Sequence, residues 1–343
     1  WALIGLKVAV VAAVVGFVGQ AAADAWRSLA REGLTLRPAW AFASAALLWT
    51  SQAPMAWYWR RTLVALGQPA PLAASFRAFY VSQLGKYVPG KASVVLIRTE
   101  RLLAAVRGGT ANRRAAERDG DPGDASAVAV GAAVFYETLT HMAVGSLIAA
   151  ITAAMIPGDD GSPRWGVIAL AAGLALACWA PTLPPVFARL VARVTPNAAE
   201  LREERVAALR ARLTLGLAAR GVAASSVAWS LTTASVWAAG VSVGAIEAGI
   251  APSAPLWLLA ATLPVVAGFV SLLPAGVLVR EGLMLGVLAG SIGDGPALAT
   301  SVAVRLIWVA AEVALCGSLL LPARTRHAPA AERTAPDGTT NES

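Results

Sequence analysis

The stretch Leu84-Gly85-Lys86-Tyr87-Val88-Pro89-Gly90-Lys91, with Arg98 shortly after it, decides how this chain is read. It sits between apolar segments, yet it carries two glycines, a proline and, counting Arg98, three cations. Glycine and proline interrupt a helix and leave backbone groups without partners. Acyl chains cannot satisfy those groups, so such a break is enclosed by protein or lines a watery cavity. Cations at membrane depth are costly and by default mark the route of a substrate or an ion. A second stretch of the same character, Leu273-Pro274-Ala275-Gly276-Val277-Leu278-Val279-Arg280-Glu281-Gly282, lies in the other half of the chain. The expectation is a protein that holds the two breaks face to face.

Composition sets the surroundings of these breaks. Of 343 residues, 57% are hydrophobic and only 14% charged, with a mean hydropathy of +0.63. Soluble domains are about a quarter charged, so the chain reads as an integral membrane protein. Apolar runs recur along its length, giving one polytopic domain over 1–322 and a polar tail at 323–343 expected to be disordered. A net charge of +8 fits loops that face anionic lipid, and no nucleic-acid-binding motif accompanies it. Cys178 and Cys316 lie in apolar runs and read as small packing residues. No phosphate-binding loop, nucleophile elbow or His-Glu-x-x-His run occurs. No catalytic residue, cofactor or metal ligand is therefore assigned.

The runs divide as follows. Residues 2–23 imitate a signal peptide at Ala21-Ala22-Ala23, but the run is long enough to span and reads as an uncleaved first helix. The second span covers 39–59, anchored by Trp40 and Trp57-Tyr58-Trp59. Residues 72–84 and 92–106 flank the first break, and each is shorter than the ~20 residues a crossing needs. A re-entrant hairpin is expected there. Residues 107–125 read as a flexible cytoplasmic loop, 126–156 as the third span and 157–163 as a tight turn. The fourth span, 165–188, should bend at Pro181, Pro184 and Pro185. Residues 198–218 form an amphipathic pattern, expected either on the membrane surface or packed on the protein's own loops. The fifth span is 222–246, a second hairpin joins 255–273 to 281–290, and the last span is 297–321. The fold class is thus an all-α polytopic membrane protein with about six full spans plus two re-entrant helical hairpins, eight hydrophobic segments in all.

Arginines gather in 60–125 and 189–220, whereas the turns at 157–164 and 247–255 are acidic or nearly uncharged. The positive-inside rule then puts both termini in the cytoplasm, with Arg27, Arg31 and Arg37 counting against it. In that orientation the hairpins enter from opposite sides. Such spacing fits an inverted repeat with broken helices near the midplane.

Tyr80-Val81-Ser82-Gln83-Leu84-Gly85-Lys86-Tyr87-Val88-Pro89-Gly90-Lys91, then Arg98, resembles the first signature of the flippase-like transmembrane family. That family includes the membrane region of lysylphosphatidylglycerol synthases. The stretch from Leu273 to Gly282 resembles its second signature, a Pro-Gly-Gly-x-Gly-Val-Arg-Glu-Gly run, with Ala275 and Leu278 standing where two glycines are usual. The resemblance extends over nearly the whole chain, including Glu137 and Arg305. It implies an inner-membrane protein that binds or moves phospholipid head groups. The synthase activity of larger relatives resides in a separate soluble domain, and no segment of that kind follows residue 322. Aminoacyl-lipid synthesis by this chain alone is therefore not expected.

Binding an anionic head group away from water needs cations and close backbone approach. Lys86, Lys91, Arg98 and Arg280 supply charge, with arginine able to fork onto two phosphate oxygens. Pro89, Gly90, Pro274 and Gly276 shape the breaks, and Glu281 completes the candidate site. The alternative for Lys86 and Lys91 is to snorkel to the interface; for Arg280-Glu281 it is an internal ion pair that stiffens the tip. Arg305 and Glu312, seven residues apart, share a helix face and are expected to pair with Glu281, Arg98 or Glu137. Glu137 and His141, at i and i+4, form either a proton-coupling pair or a polar contact between helices. The reading is translocation or binding of anionic phospholipid or lipid-linked head groups. A membrane-embedded transferase using Glu137 or Glu281 as base is the alternative, as is a scaffold for a separate envelope-lipid enzyme. Membrane phospholipids are the expected partners, and nucleic acid is not one.

Overall fold

The computed structural model describes residues 35–87, 92–108, 126–158, 161–194, 207–246, 253–271, 273, 276 and 278–320. In chain order the α-helices among them are α1 (Pro38–Ala65), α2 (Leu72–Ser82), α3 (Ala92–Gly108), α4 (Ala127–Met155), α5 (Trp165–Trp179), α6 (Pro184–Val194), α7 (Leu215–Ser242), α8 (Ala254–Val270), α9 (Val279–Ile292) and α10 (Asp294–Leu320). The expected first span, most of the 107–125 loop, the tail, and Pro89, Gly90, Lys91 and Pro274 lie outside the described residues.

Local chemistry starts these helices where it should. Pro38 occupies the first turn of α1, where a missing N–H costs nothing. The Ser126 hydroxyl accepts from the Ala129 amide at the head of α4, and Thr214 accepts from Leu217 at the head of α7. Two boundaries differ from expectation. The fourth span does not merely bend: α5 ends at Trp179, a 3-10 turn covers Ala180–Thr182, and extended Leu183 precedes a separate helix, α6. The amphipathic stretch does not run to 218, because extended Thr214 caps α7 and residues 215–218 belong to that helix. Just before the break Leu213 is buried and Arg212 Nη1 donates to Leu66 O at 2.7 Å. That end therefore packs on the protein itself.

Three described helical stretches are long and apolar enough to cross a membrane: Ala127–Met155, Trp165–Thr182 and Asp294–Leu320. At 1.5 Å per residue, α1 and α7, each 28 residues, reach about 42 Å against the roughly 30 Å of a bilayer core. Their length suffices, and their lower hydropathy has a cause. The polar groups face each other: Ser44 Oγ donates to Ser235 O and Ser235 Oγ to Ser44 O, both at 2.8 Å. Trp308 Nε1 of α10 donates to Ser235 Oγ at 3.0 Å. In contrast α2 and α9, at 11 and 14 residues, reach only about 16 and 21 Å. α2 packs on α3, α8 on α9, and α9 on α10.

Small residues let the long helices close up, as they do in membrane bundles. The Trp229 indole of α7 fills the space over Gly145 of α4, and the Tyr58 phenol of α1 fills that over Gly221. A Cβ at Gly145 would collide with the buried indole. Gly145→Val is expected to destabilise the protein by about 1–3 kcal/mol, the usual cost of overpacking. Thermal unfolding of the detergent-purified protein measures it, and an unchanged midpoint would refute the close contact. Two buried apolar clusters result, one gathering α4, α5 and α7–α10 with Leu48 of α1, the other α1–α4 and the start of α7 with Phe187 of α6.

Candidate functional site

A cavity of about 280 Å³ lies where the two clusters meet, walled by α1, α2, α3, α4, α7, α8, α9 and α10. The described parts of both sequence breaks open onto it, through Gln83 and Lys86 at the first and Leu273, Gly276 and Arg280 at the second.

At the first break a 3-10 turn, Gln83–Tyr87, follows α2. Gly85 is buried there, and a Cβ would lie 2.8 Å from Val94 N. Only glycine lets the turn touch the head of α3 so closely. The turn delivers Lys86 to the cavity, where Nζ bonds Glu312 Oε1 of α10. Tyr87 OH donates to the other oxygen, Glu312 Oε2, at 2.8 Å. Arg98, from α3, is 2% exposed and fully engaged. Its Nη1 donates to Glu137 Oε2 at 2.8 Å and its Nε to Ser82 Oγ at 2.9 Å. The guanidinium also stacks 4.1 Å from the Phe79 ring centre and 5.2 Å from Trp59.

At the second break Gly276 takes φ +66° and its amide bonds Leu273 O at 3.0 Å. Leu278, standing where the family pattern has glycine, adopts φ 68° all the same. A side chain in that region costs about 1–3 kcal/mol, so the backbone shape persists without the residue that favours it. α9 then begins and carries Arg280 into the cavity. Its methylenes lie over two glycines: a Cβ on Gly268 would stand 2.6 Å from Arg280 Cγ, and one on Gly276 2.9 Å. The guanidinium faces the Trp308 ring at 5.3 Å. Among the described residues no carboxylate pairs with it.

Two of the alternatives left open for these side chains are not formed, and one of the pairings open to Arg305, with Glu281, is. Arg280 and Glu281 do not pair, because successive helix residues point about 100° apart. Glu281 instead meets Arg305 Nε at 2.9 Å, beside a small pocket that Tyr87 and Arg280 also line. Glu137 and His141 do not pair either. Glu137 holds Arg98, while the His141 ring stacks on Trp229 with centres 4.5 Å apart and planes 10° off parallel. The cavity nonetheless gathers Lys86, Arg98, Glu137, His141, Gly276, Arg280 and Glu312 from the sequence candidates. Arg305 and Glu281 stand in the adjoining pocket. Trp308 was not foreseen, although it shares a face with Arg305 and Glu312 at three and four residues' spacing. Gly268 and Trp229 carry no sequence signal of their own. Among the described residues no three His, Cys, Asp or Glu side chains converge on a metal site.

The family model for the lysylphosphatidylglycerol synthase TM region matches residues 4–316. The chain belongs to that family. No curated protein and no solved structure matched it. As a lysylphosphatidylglycerol synthase TM-region protein it is a membrane protein, of a family tied by its description to lipid handling. Both breaks and every cation of the cavity lie inside the matched region.

Proposed function

We propose that this protein binds anionic phospholipid or lipid-linked head groups in the cavity and carries them across the cytoplasmic membrane without a chemical step. The observation that carries the reading is Arg280, a cation in the cavity that makes no salt bridge to a carboxylate among the described residues, although Glu281 and Glu312 stand within electrostatic reach. A partly buried cation with no carboxylate in contact is costly, and an anionic ligand placed against it lowers that cost. A phosphate would accept two N–H donors from the guanidinium fork. The wall includes Phe135 and Leu273, 53% and 44% exposed, so apolar surface continues from the cavity to the outside. Acyl chains would remain there, in the bilayer.

In this reading α2–α3 and α8–α9 are the re-entrant hairpins, set among six full spans of the inner membrane with both termini cytoplasmic. The Lys86–Glu312 bridge ties the first hairpin to the last span, and its exchange would accompany opening. Vesicles reconstituted with the protein and a fluorescent phospholipid test the proposal. A membrane-impermeant quencher should reach more lipid than in protein-free vesicles. Equal quenching would refute transport.

A further inference from the structure

Helix α6 uses only one of its sides to hold the protein together. Phe187 and Ala188 are buried, Val191 packs on the same cluster, and the Phe187 ring meets Tyr136 of α4 edge-on with centres 4.9 Å apart. Arg189 and Arg193, four residues apart, share the opposite side. Both are exposed, and neither pairs with a carboxylate among the described residues. Leu190 beside them is 41% exposed, and Leu183 just before the helix is half-exposed. A basic strip next to bare leucines is the pattern of a helix lying in a bilayer interface, charges among the head groups and apolar side among the acyl chains.

Depth puts α6 at that interface. The stretch before it, Trp165–Thr182, has 18 residues and reaches about 27 Å, nearly the roughly 30 Å of the core, before the chain turns at Leu183. α4 gives the same answer independently. Its 29 residues reach about 44 Å, overhanging a centred core by about 7 Å at each end. Tyr136 lies about 14 Å along it from Ala127, hence about 7 Å inside the core. Phe187 meets Tyr136 there, within the ~5–10 Å to which interfacial helices sink their apolar side.

Charge selects the lipid. Leu213, Leu217 and Phe187 share one buried cluster, so the start of α7 lies at the same end of the bundle as α6. Arg210 and Arg220 are exposed there as well, and no carboxylate among the described residues lies on α6 or on residues 207–220. Each basic residue near an anionic membrane surface strengthens attraction to it about fivefold.

We infer that α6 is an interfacial helix that docks anionic lipid of one leaflet, the phosphates on Arg189 and Arg193 and the first acyl carbons against Leu183 and Leu190. In the orientation proposed above this is the cytoplasmic leaflet. The surface is separate from the cavity and holds lipid whether or not head groups enter that cavity. Phe135, the half-exposed residue of the cavity wall, directly precedes Tyr136, so lipid gathered on α6 stands at the level of that opening.

The test puts a bimane fluorophore on Leu190→Cys in the full chain. The native Cys178 and Cys316 are buried, and the unmutated protein serves as the labelling blank. Phosphatidylcholine vesicles then receive either phosphatidylglycerol or phosphatidylcholine carrying a nitroxide near the top of one acyl chain. Both lipids should quench, and phosphatidylglycerol should reach half-quenching at a mole fraction about threefold or more lower. Arg189→Gln combined with Arg193→Gln should bring the two curves together without moving the melting temperature. A label on Leu176→Cys, 75% exposed on α5, should be quenched alike by both lipids. Coincident curves at Leu190→Cys with both arginines present would overturn the anionic assignment. A preference that survives the double variant would overturn the role of Arg189 and Arg193. If neither lipid quenches at Leu190→Cys while both quench at Leu176→Cys, the helix is not in the leaflet, and its outer side faces water or a protein partner.

Discussion

Replacing Arg280 with alanine should abolish lipid transfer while leaving a folded protein. The side chain has no carboxylate partner among the described residues, so its removal leaves no buried anion behind. What the fold loses is packing of the methylenes on Gly268 and Gly276 and the contact with Trp308, about 1–2 kcal/mol. What the ligand loses is larger. Hydrogen bonds to charged groups contribute about 1.5–3 kcal/mol each, and a forked contact makes two. A fall of roughly a hundredfold to ten-thousandfold in initial rate is expected in vesicles, with a near-normal melting profile. Arg280→Lys keeps the charge without the fork and should fall between the two. Loss of expression in the alanine variant, with transfer normal in whatever protein folds, would show that Arg280 is structural.

The buried pair on the other wall should behave in the opposite way. Arg98 is 2% and Glu137 3% exposed, with their charges in direct contact. Removing either partner strands the other, at about 3–5 kcal/mol. Arg98→Met and Glu137→Leu are each expected to lower the yield and melting temperature of the protein sharply. The double variant should be more stable than either single one, because apolar side chains can replace a buried pair at little cost. Thermal melts of all three decide it. A double variant as unstable as the singles would mean that Arg98 depends on Ser82, Phe79 and Trp59 more than on the carboxylate.

How much of this was legible in the sequence differs by level. The breaks were, because glycine, proline and cations cannot stand together among lipid-facing residues for any cheap reason. Lys86 and Arg280, nearly two hundred positions apart, do line one cavity. Partners were less legible, since they depend on the rotation of each helix about its own axis. Arg280 and Glu281 adjoin in the chain yet diverge by most of a right angle or more, and Glu281 finds Arg305. Glu137 and His141 do share a face, but Gly145 admits the Trp229 indole beside His141 and Arg98 reaches Glu137 first. The boundaries moved for equally local reasons. One polar side chain, Thr214, was enough to end the amphipathic stretch and begin α7. Trp308 could have been found from its spacing to Arg305 and Glu312; the glycine bed beneath Arg280 could not.

The half-exposed Phe135 and Leu273 at the cavity wall reach beyond the chemistry inside it. If head groups do enter the cavity as proposed, a rim that touches fatty acids only from outside has no means of measuring them. On that proposal, cells that shorten, branch or desaturate their lipids as temperature changes would present this protein with the same cargo throughout the season.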